Sequence, residues 1–373
     1  MNPSWLGVLE LFKGFQDLNL AKILMIIVGL ILIYLSIVKE YEPVLLLPIG
    51  FGCILTNLPF SALTGEHGFL TLLYQTGIVT ELFPLLIFIG VGAMIDFSPL
   101  LSRPSLLVFG AAGQFGIFGT LILATLLGYR LPQAASIGVI GAIDGPTAIY
   151  VATKLAPELL APIAVAAYSY MSLIPIIQPP IMRLVTNRKE RATTMAYIDK
   201  PVSKTMRVIF PIGVTILVSI LVPEAAPLIS MLMLGNLLRE SGVVERLSQS
   251  AQNEIINIST LFLGLAIGST MKAESFVQLD TLIVLILGLL AFGLDTFVGL
   301  LFGKFAYWAT KGKINPLIGA SGISAFPMAG RLAARMANEE NSDNFIIMQA
   351  MATNTAGQIA SVIAGGVLLA LVR

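Results

Sequence analysis

Long apolar runs with few charges dominate the chain: "ILMIIVGLILIYLSIV" (23–38), "SLLVFGAAGQFGIFGTLILATLLG" (105–128) and "TLIVLILGLLAFGLDTFVGLLFG" (281–303). Each approaches or exceeds the roughly 20 residues that carry a helix across a hydrocarbon core. Runs of this kind predict an all-α polytopic membrane protein with about ten to twelve membrane segments. The short runs 208–222 and 226–240 leave the number open. The longest polar interruption, "RLVTNRKERATTMAYIDKPVSKTMR" (183–207), falls near the middle of the chain. It divides the chain into an N-terminal segment with the first crossing (1–40), a first repeat (41–185), a basic loop (186–207) and a second repeat (208–373).

Composition sharpens this picture. Hydrophobic residues make up 56% of the 373 and charged residues 12%. A soluble domain carries about 25% charged residues, so most of this surface is built for lipid. The 183–207 stretch holds seven of the 22 basic residues, and by the positive-inside tendency it belongs in the cytoplasm, as a topogenic loop or as a docking surface for a soluble partner. No cleavable signal peptide is apparent. A lone cysteine, Cys53, and a lone histidine, His67, point away from disulfides and transition metals. No P-loop pattern of the GxxxxGK type occurs, which argues against direct ATP drive, and no nucleic-acid partner is expected.

Polar interruptions recur in the two halves in the same order. "GAIDGPTAI" begins at Gly141 and "GASGISAFP" at Gly319, 178 positions later. Upstream, "FIGVGAMIDF" (88–97) resembles "GLAIGSTMKAESF" (264–276), with Met94 and Met271 separated by 177 positions. Downstream, "AAYSYMSLIP" (166–175) stands opposite "MATNTAGQIA" (351–360). This order predicts two internal repeats, with interrupted segments at 132–152 and 314–330. An inverted relation, as in many secondary transporters, requires an odd number of crossings per repeat.

Within these interruptions lie the candidate site residues. A carboxylate such as Asp144 costs several kcal/mol at mid-bilayer unless it is paired, hydrated or metal-bound, and intramembrane acids are functional by default. Pro146 is expected to free backbone carbonyls, while Gly141 and Gly145 let backbone approach a ligand. Carbonyls, the Thr147 hydroxyl and one carboxylate form an all-oxygen set suited to a hard cation such as sodium; a protonated Asp144 in a helix kink is the competing reading. The second interruption adds Asn315, Ser321 and Ser324 with three glycines but no acid, and Asn354 adds an amide. Small-residue helix packing explains the two serines equally well. Tyr168 and Tyr170 read either as interfacial anchors or as proton donors. Gln178 closes their segment. Asp295 is a second intramembrane acid, expected to meet a polar group on a neighbouring helix, whereas Asp96 and Lys272 read as interfacial.

The motifs resemble one family along nearly the whole chain: the β subunits of the sodium-pumping, biotin-dependent decarboxylases of oxaloacetate, methylmalonyl-CoA and glutaconyl-CoA. The resemblance rests on "YEPVLLLPIGFGCILTNLP" (41–59), "GVGAMIDFSPLL" (90–101), "GAAGQFGIF" (110–118) and "DGPTAIY" (144–150). It continues through "KLAPELLAPIAVAAYSYMSLIPIIQPPIM" (154–182), "GNLLRESGVVERLS" (235–248), "INPLIGASGISAFPMAGR" (314–331) and "AMATNTAG" (350–357). It implies a carboxybiotin decarboxylase that exports sodium and consumes a proton. By motif, Asp144 is the sodium- and proton-coupled carboxylate and Tyr170 the proton-handling tyrosine. Asn315, Gly319 and Ser324 form the second sodium-associated cluster, with Ser321 beside them, and Asn354 is a further ligand. Thr147, Tyr168 and Gln178 stand where substrate would bind.

The resemblance also implies a carboxyltransferase α subunit, a biotin carrier subunit that brings the carboxybiotin (no biotin is attached to this chain), and a small single-span companion. Homo-oligomerisation, as a trimer, and a bacterial inner membrane follow from it too. Departures from the family are local. Ile143 precedes the aspartate where "GGADGPT" is usual, and "MATN" replaces "MGPN", with Thr353 in place of proline. The short loop "FSALTGEHGFLTLLYQTG" (60–77) stands where oxaloacetate-type subunits carry a long insertion, which favours the acyl-CoA enzymes. The residues without the resemblance fit a sodium/proton or sodium/solute secondary transporter of similar broken-helix architecture.

Overall fold

The computed structural model describes residues 18–59, 62–196, 201–273 and 278–372. The segment before residue 18 and Lys200 of the basic loop, both named above, lie outside the described residues, as does the end of the 264–276 stretch. Among the described residues all regular structure is helical. The helices that matter for the site are α1 Leu20–Val38, α2 Pro43–Asn57, α3 Leu82–Met94, α4 Phe115–Leu126, α5 Leu131–Gly138 and α6 Gly145–Leu155. They continue as α7 Leu160–Val185, α8 Lys204–Leu221, α9 Ala226–Ser241, α10 Ile256–Thr270, α11 Leu279–Ala309, α12 Met328–Glu340 and α13 Ile347–Val372.

Among the described residues five helical stretches are long and apolar enough to cross a membrane: α1, Pro104–Leu126, α8, α11 and α13. Two bent pairs raise the number to seven, and Pro43–Asn57 and Leu131–Ala142 are shorter apolar helices. This is fewer than the ten to twelve expected from the apolar runs. Part of the difference is length: α9 and α10, with 16 and 15 residues, are short for a crossing. One bend has a clear local cause. The α7 path turns by 67° between Met171 and Leu173. Pro175 lies four residues after Met171, so its ring displaces the Met171 carbonyl and removes that rung of the ladder.

Two surfaces with opposite demands organise the packing. On α8 only Pro211 and Val218 are buried, while Ile209, Ile212, Ile216 and Ile220 are exposed, a stripe suited to acyl chains. On α13, by contrast, 17 of 26 residues are buried, including Thr353, Asn354, Thr355, Gln358 and Ser361. A helix that buries so many polar groups away from water must find partners for them inside the bundle. Elsewhere small residues let backbones touch. A Cβ on Gly92 of α3 would fall 1.8 Å from the Leu232 carbonyl oxygen of α9, and one on Gly235 1.9 Å from that of Ile89. That reciprocal contact is the small-residue helix packing common in membranes.

The described first part of the basic loop, residues 186–196, is fastened. Arg191 donates from Nη2 to Glu340 Oε1 at 2.6 Å, and Arg188 from Nε to Glu340 Oε2 at 2.9 Å. These two guanidinium groups hold the Glu340 carboxyl below its ordinary range. The amides of Asn315 and Asn344 donate to the Arg191 carbonyl, and those of Asn315 and Gln349 to the carbonyls of Thr193 and Ala196. Hydrogen bonds from three separate parts of the second half therefore fasten residues 191–196.

Candidate functional site around Asp144

The site begins where a helix stops. α5 tightens into a 3₁₀ turn at Val139–Ala142. Ile143 then takes a left-handed conformation, φ 51° and ψ 46°, and Asp144 is extended before α6 begins. A β-branched residue in the left-handed region is strained by on the order of 1–3 kcal/mol and persists only where its surroundings impose it. Ile143 is fully buried, and burying so large a side chain recovers about 1.5–3 kcal/mol, enough to offset the strain. Pro146 does not kink a helix, as its place in the sequence suggested. It lies in the first turn of α6, where its missing N–H has no intrahelical acceptor to lose.

The interruption leaves the Asp144 carboxylate, 4% exposed, at the N-terminus of α6. Three side chains donate to its Oδ2: Thr147 Oγ1 at 2.7 Å, Ser361 Oγ at 2.9 Å and Gln358 Nε2 at 3.0 Å. Among the described residues no basic side chain pairs with it. Three donors and the positive end of a helix favour the ionised form, while removal from water opposes it. A carboxylate balanced between these terms can exchange a proton for a cation.

The second interruption meets the first. Ser324 N–H donates to the Ala142 carbonyl at 3.1 Å, and Ser324 Oγ donates to the Gly357 carbonyl at 3.0 Å. Asn354 Nδ2 donates to the Ile323 carbonyl at 2.7 Å. Its Oδ1 is buried without a partner, an acceptor that a cation would satisfy. Asn354, Gln358 and Ser361 share one face of α13 by their spacing of four and seven. Asp144, Thr147, Ser324 and Asn354 are thus brought into one neighbourhood.

A cavity of about 310 Å³ opens beside this cluster. Asp144, Tyr168, Ser324 and Gln358 give it polar atoms, while Phe88, Val91, Met171 and Phe326 are among its apolar walls. That volume is in the range of small-molecule sites, about 300–1,000 Å³. The Tyr168 ring lies flat on Gly145, where a Cβ would come within 2.1 Å of Cζ, and its buried hydroxyl has no partner. A larger cavity of about 430 Å³, between residues 64–75 and 269–272, is lined by Glu66, Lys272 and hydroxyls but by no buried acid.

Other sequence candidates are placed elsewhere. Tyr170, two residues from Tyr168, points to a different neighbour and donates its hydroxyl to the Leu285 carbonyl of α11. Asn315 is occupied by the basic loop, and its Oδ1 accepts from Leu317 N–H at 3.0 Å. Gly319 serves a close approach, since a Cβ there would sit 2.0 Å from the Gly299 carbonyl oxygen of α11. Gln178 donates to the Ala320 carbonyl at 3.0 Å and to Thr296 Oγ1 at 3.2 Å, outside the cavity. Ser321 is fully buried with an unpartnered hydroxyl.

The sequence reading missed Gln358 and Ser361. One signal was present: both fall on the Asn354 face when the "MATNTAG" helix is continued by one and two turns. It also missed Gln114, whose amide donates to the Gly322 carbonyl at 3.0 Å and lies 3.3 Å and 3.4 Å from those of Gly110 and Gly357.

Comparison with known proteins matches residues 21–372 to the family described as the Na+-transporting oxaloacetate decarboxylase beta subunit. The methylmalonyl-CoA decarboxylase subunit beta of Veillonella parvula is 50% identical over 96% of this chain and 95% of its own length. The glutaconyl-CoA decarboxylase subunit beta of Acidaminococcus fermentans is 49% identical, with 96% of each chain covered. The oxaloacetate decarboxylase beta chain 2 of Salmonella typhi is 45% identical over 95% of this chain and 96% of its own.

Proposed function

Because the chain belongs to the β-subunit family of the sodium-transporting decarboxylases, we propose that its Asp144 cavity decarboxylates carboxybiotin and exchanges sodium for the proton this reaction consumes. The chain is a multi-pass membrane subunit of a sodium-translocating decarboxylase, and the secondary-transporter reading is set aside. The observation that carries the finer assignment is the Asp144 carboxylate, held by three side-chain donors at the wall of a cavity with a mixed lining.

The carboxybiotin N–CO₂⁻ bond breaks to give CO₂, and the nitrogen left behind takes up one proton. A group that holds either a proton or a sodium ion beside that nitrogen couples the two events, since one carboxylate does not stably hold both. Asp144 is that group. Its three donors keep the carboxylate in place when the proton leaves, and the free Asn354 Oδ1 and the Ser324 hydroxyl supply neutral oxygens to sodium. Tyr168, whose unpartnered hydroxyl belongs to the cavity wall, would contact the ureido ring there. The family resemblance assigns proton handling to Tyr170, which would act by releasing the Leu285 carbonyl.

Around this chain we place a carboxyltransferase α subunit, a biotin carrier and a small single-span subunit, in a homo-oligomer at the bacterial inner membrane with residues 186–207 in the cytoplasm. An acyl-CoA decarboxylase is the favoured complex. The alignments with methylmalonyl-CoA and glutaconyl-CoA subunits run over 359, 383 and 360 residues, against 417 with the oxaloacetate chain. The test is loss of carboxyl from free carboxybiotin by the purified chain in detergent, with and without sodium. Sodium-stimulated loss that vanishes in Asp144→Asn is expected; sodium-stimulated loss retained by that variant overturns the assignment.

A further inference from the structure

Asp295 lies in the middle of α11, fully buried, and the decarboxylation scheme does not use it. Its Oδ1 accepts from Gly116 N–H, one of the free donors at the N-terminus of α4. Its Oδ2 has no partner. Two glycines make room for it. A Cβ on Gly116 would fall 2.7 Å from the Asp295 Cγ, and one on Gly141 2.8 Å from Oδ2. The chain therefore builds a close-fitting pocket around a carboxylate and leaves half of it unsatisfied.

Three further buried oxygens, on residues linked by hydrogen bonds to the segments beside Asp295, have no partner: Gln178 Oε1, Ser321 Oγ and Gln114 Oε1. Hydrogen bonds tie their residues to the same locus. Gln178 Nε2 donates to Thr296, next to Asp295, and to Ala320, next to Ser321. Gln114 lies two residues before Gly116, and its Nε2 donates to Gly322, next to Ser321. Because both glutamine Nε2 atoms donate to carbonyls, both Oε1 atoms are left as acceptors. An added proton on Asp295 would satisfy at most one of these oxygens. A cation satisfies several at once, and one carboxylate with neutral amide and hydroxyl oxygens is the donor set of a hard monovalent ion.

We infer that Asp295, Gln178, Ser321 and Gln114 form a second sodium-binding site, separate from the Asp144 cavity. It does not depend on the decarboxylase reading, because it is a binding property of the folded chain alone.

The experiment is equilibrium binding of radioactive sodium to the purified full chain in detergent, for the wild type, Asp144→Asn, Asp295→Asn and Gln178→Met. The wild type is expected to bind two saturable equivalents, and each aspartate variant to lose a different one. Gln178→Met is expected to weaken the Asp295 equivalent by roughly tenfold, the effect of about 1.4 kcal/mol, with the Asp144 equivalent unchanged. A wild type with a single equivalent that disappears in Asp144→Asn overturns the inference. So does Asp295→Asn with wild-type stoichiometry and affinity. If Asp295→Asn does not fold, as judged by gel filtration, unaltered binding in Gln178→Met overturns the inference equally. Absence of carboxybiotin decarboxylation would sink the functional proposal while leaving this count intact.

Discussion

The two intramembrane aspartates look alike in sequence and are treated in opposite ways by the fold. Asp144 receives three side-chain donors on one oxygen, from its own helix and from α13, and borders an open cavity. Asp295 receives one backbone donor, keeps a bare oxygen, and lines none of the cavities described above. Side-chain hydroxyls and amides can rotate away as a carboxylate changes its charge, whereas a backbone N–H at a helix start is fixed. On the scheme proposed above, this difference in donor type would suit Asp144 to exchange and Asp295 to the steady holding of an ion.

Substitutions should break this contrast in a graded way. Asp144→Asn is expected to lower sodium-dependent decarboxylation by on the order of a thousandfold, about 4 kcal/mol of transition-state stabilisation. Gln358→Leu removes one donor from the ionised carboxylate, an interaction worth about 1.5–3 kcal/mol. The sodium concentration for half-maximal decarboxylation should rise by roughly tenfold or more, while sodium bound at Asp295 is unaffected. Ser361→Ala removes a smaller partner, and a rise of about fivefold, near 1 kcal/mol, is expected in the same assay. An equal loss at both aspartates in either variant would mean that the two sites are one.

The smallest effect should come from Glu340→Gln, far from either carboxylate. Turnover should stay within about twofold, since surface ion pairs contribute little. Trypsin should nevertheless cut the 188–191 stretch faster, because Arg188 and Arg191 lose their shared partner. Low pH should mimic the substitution. A carboxyl held below its ordinary range stabilises the loop above that range, and the contribution is lost as pH falls through the lowered value. Faster cleavage by an acid-active protease below about pH 4 would show this, if the Glu340→Gln chain lacks the pH dependence.

Much of this arrangement was legible in the sequence. The apolar runs specified a helical membrane protein, and the polar interruptions marked Asp144, Ser324 and Asn354, which do converge. What the sequence concealed was partnership over distance. Asn315 reads as a ligand because asparagine in an interrupted segment suits sodium, yet its amide fastens the basic loop through the Arg191 and Thr193 carbonyls. Tyr168 and Tyr170 are indistinguishable by type, and only the course of α7 sends one to the cavity and the other to Leu285. Gln114 drew no notice and Gln178 read as a substrate ligand, because the Gly322 and Ala320 carbonyls they bind leave no mark in a sequence.

Asp144 is separated by 214 residues from Gln358 and by 217 from Ser361. At a synthesis rate of about 5–20 residues per second, tens of seconds pass between the emergence of the acid and that of its two distant donors. During that interval Thr147 is the only one of the three side-chain donors already made. The nascent first half therefore enters the bilayer with this carboxylate largely unsupported, and the much later α13 completes the site. A ribosome stalled before residue 358 should leave a chain that insertion machinery or a chaperone must shelter, and truncation of α13 should expose the protein to membrane quality control before it affects any activity.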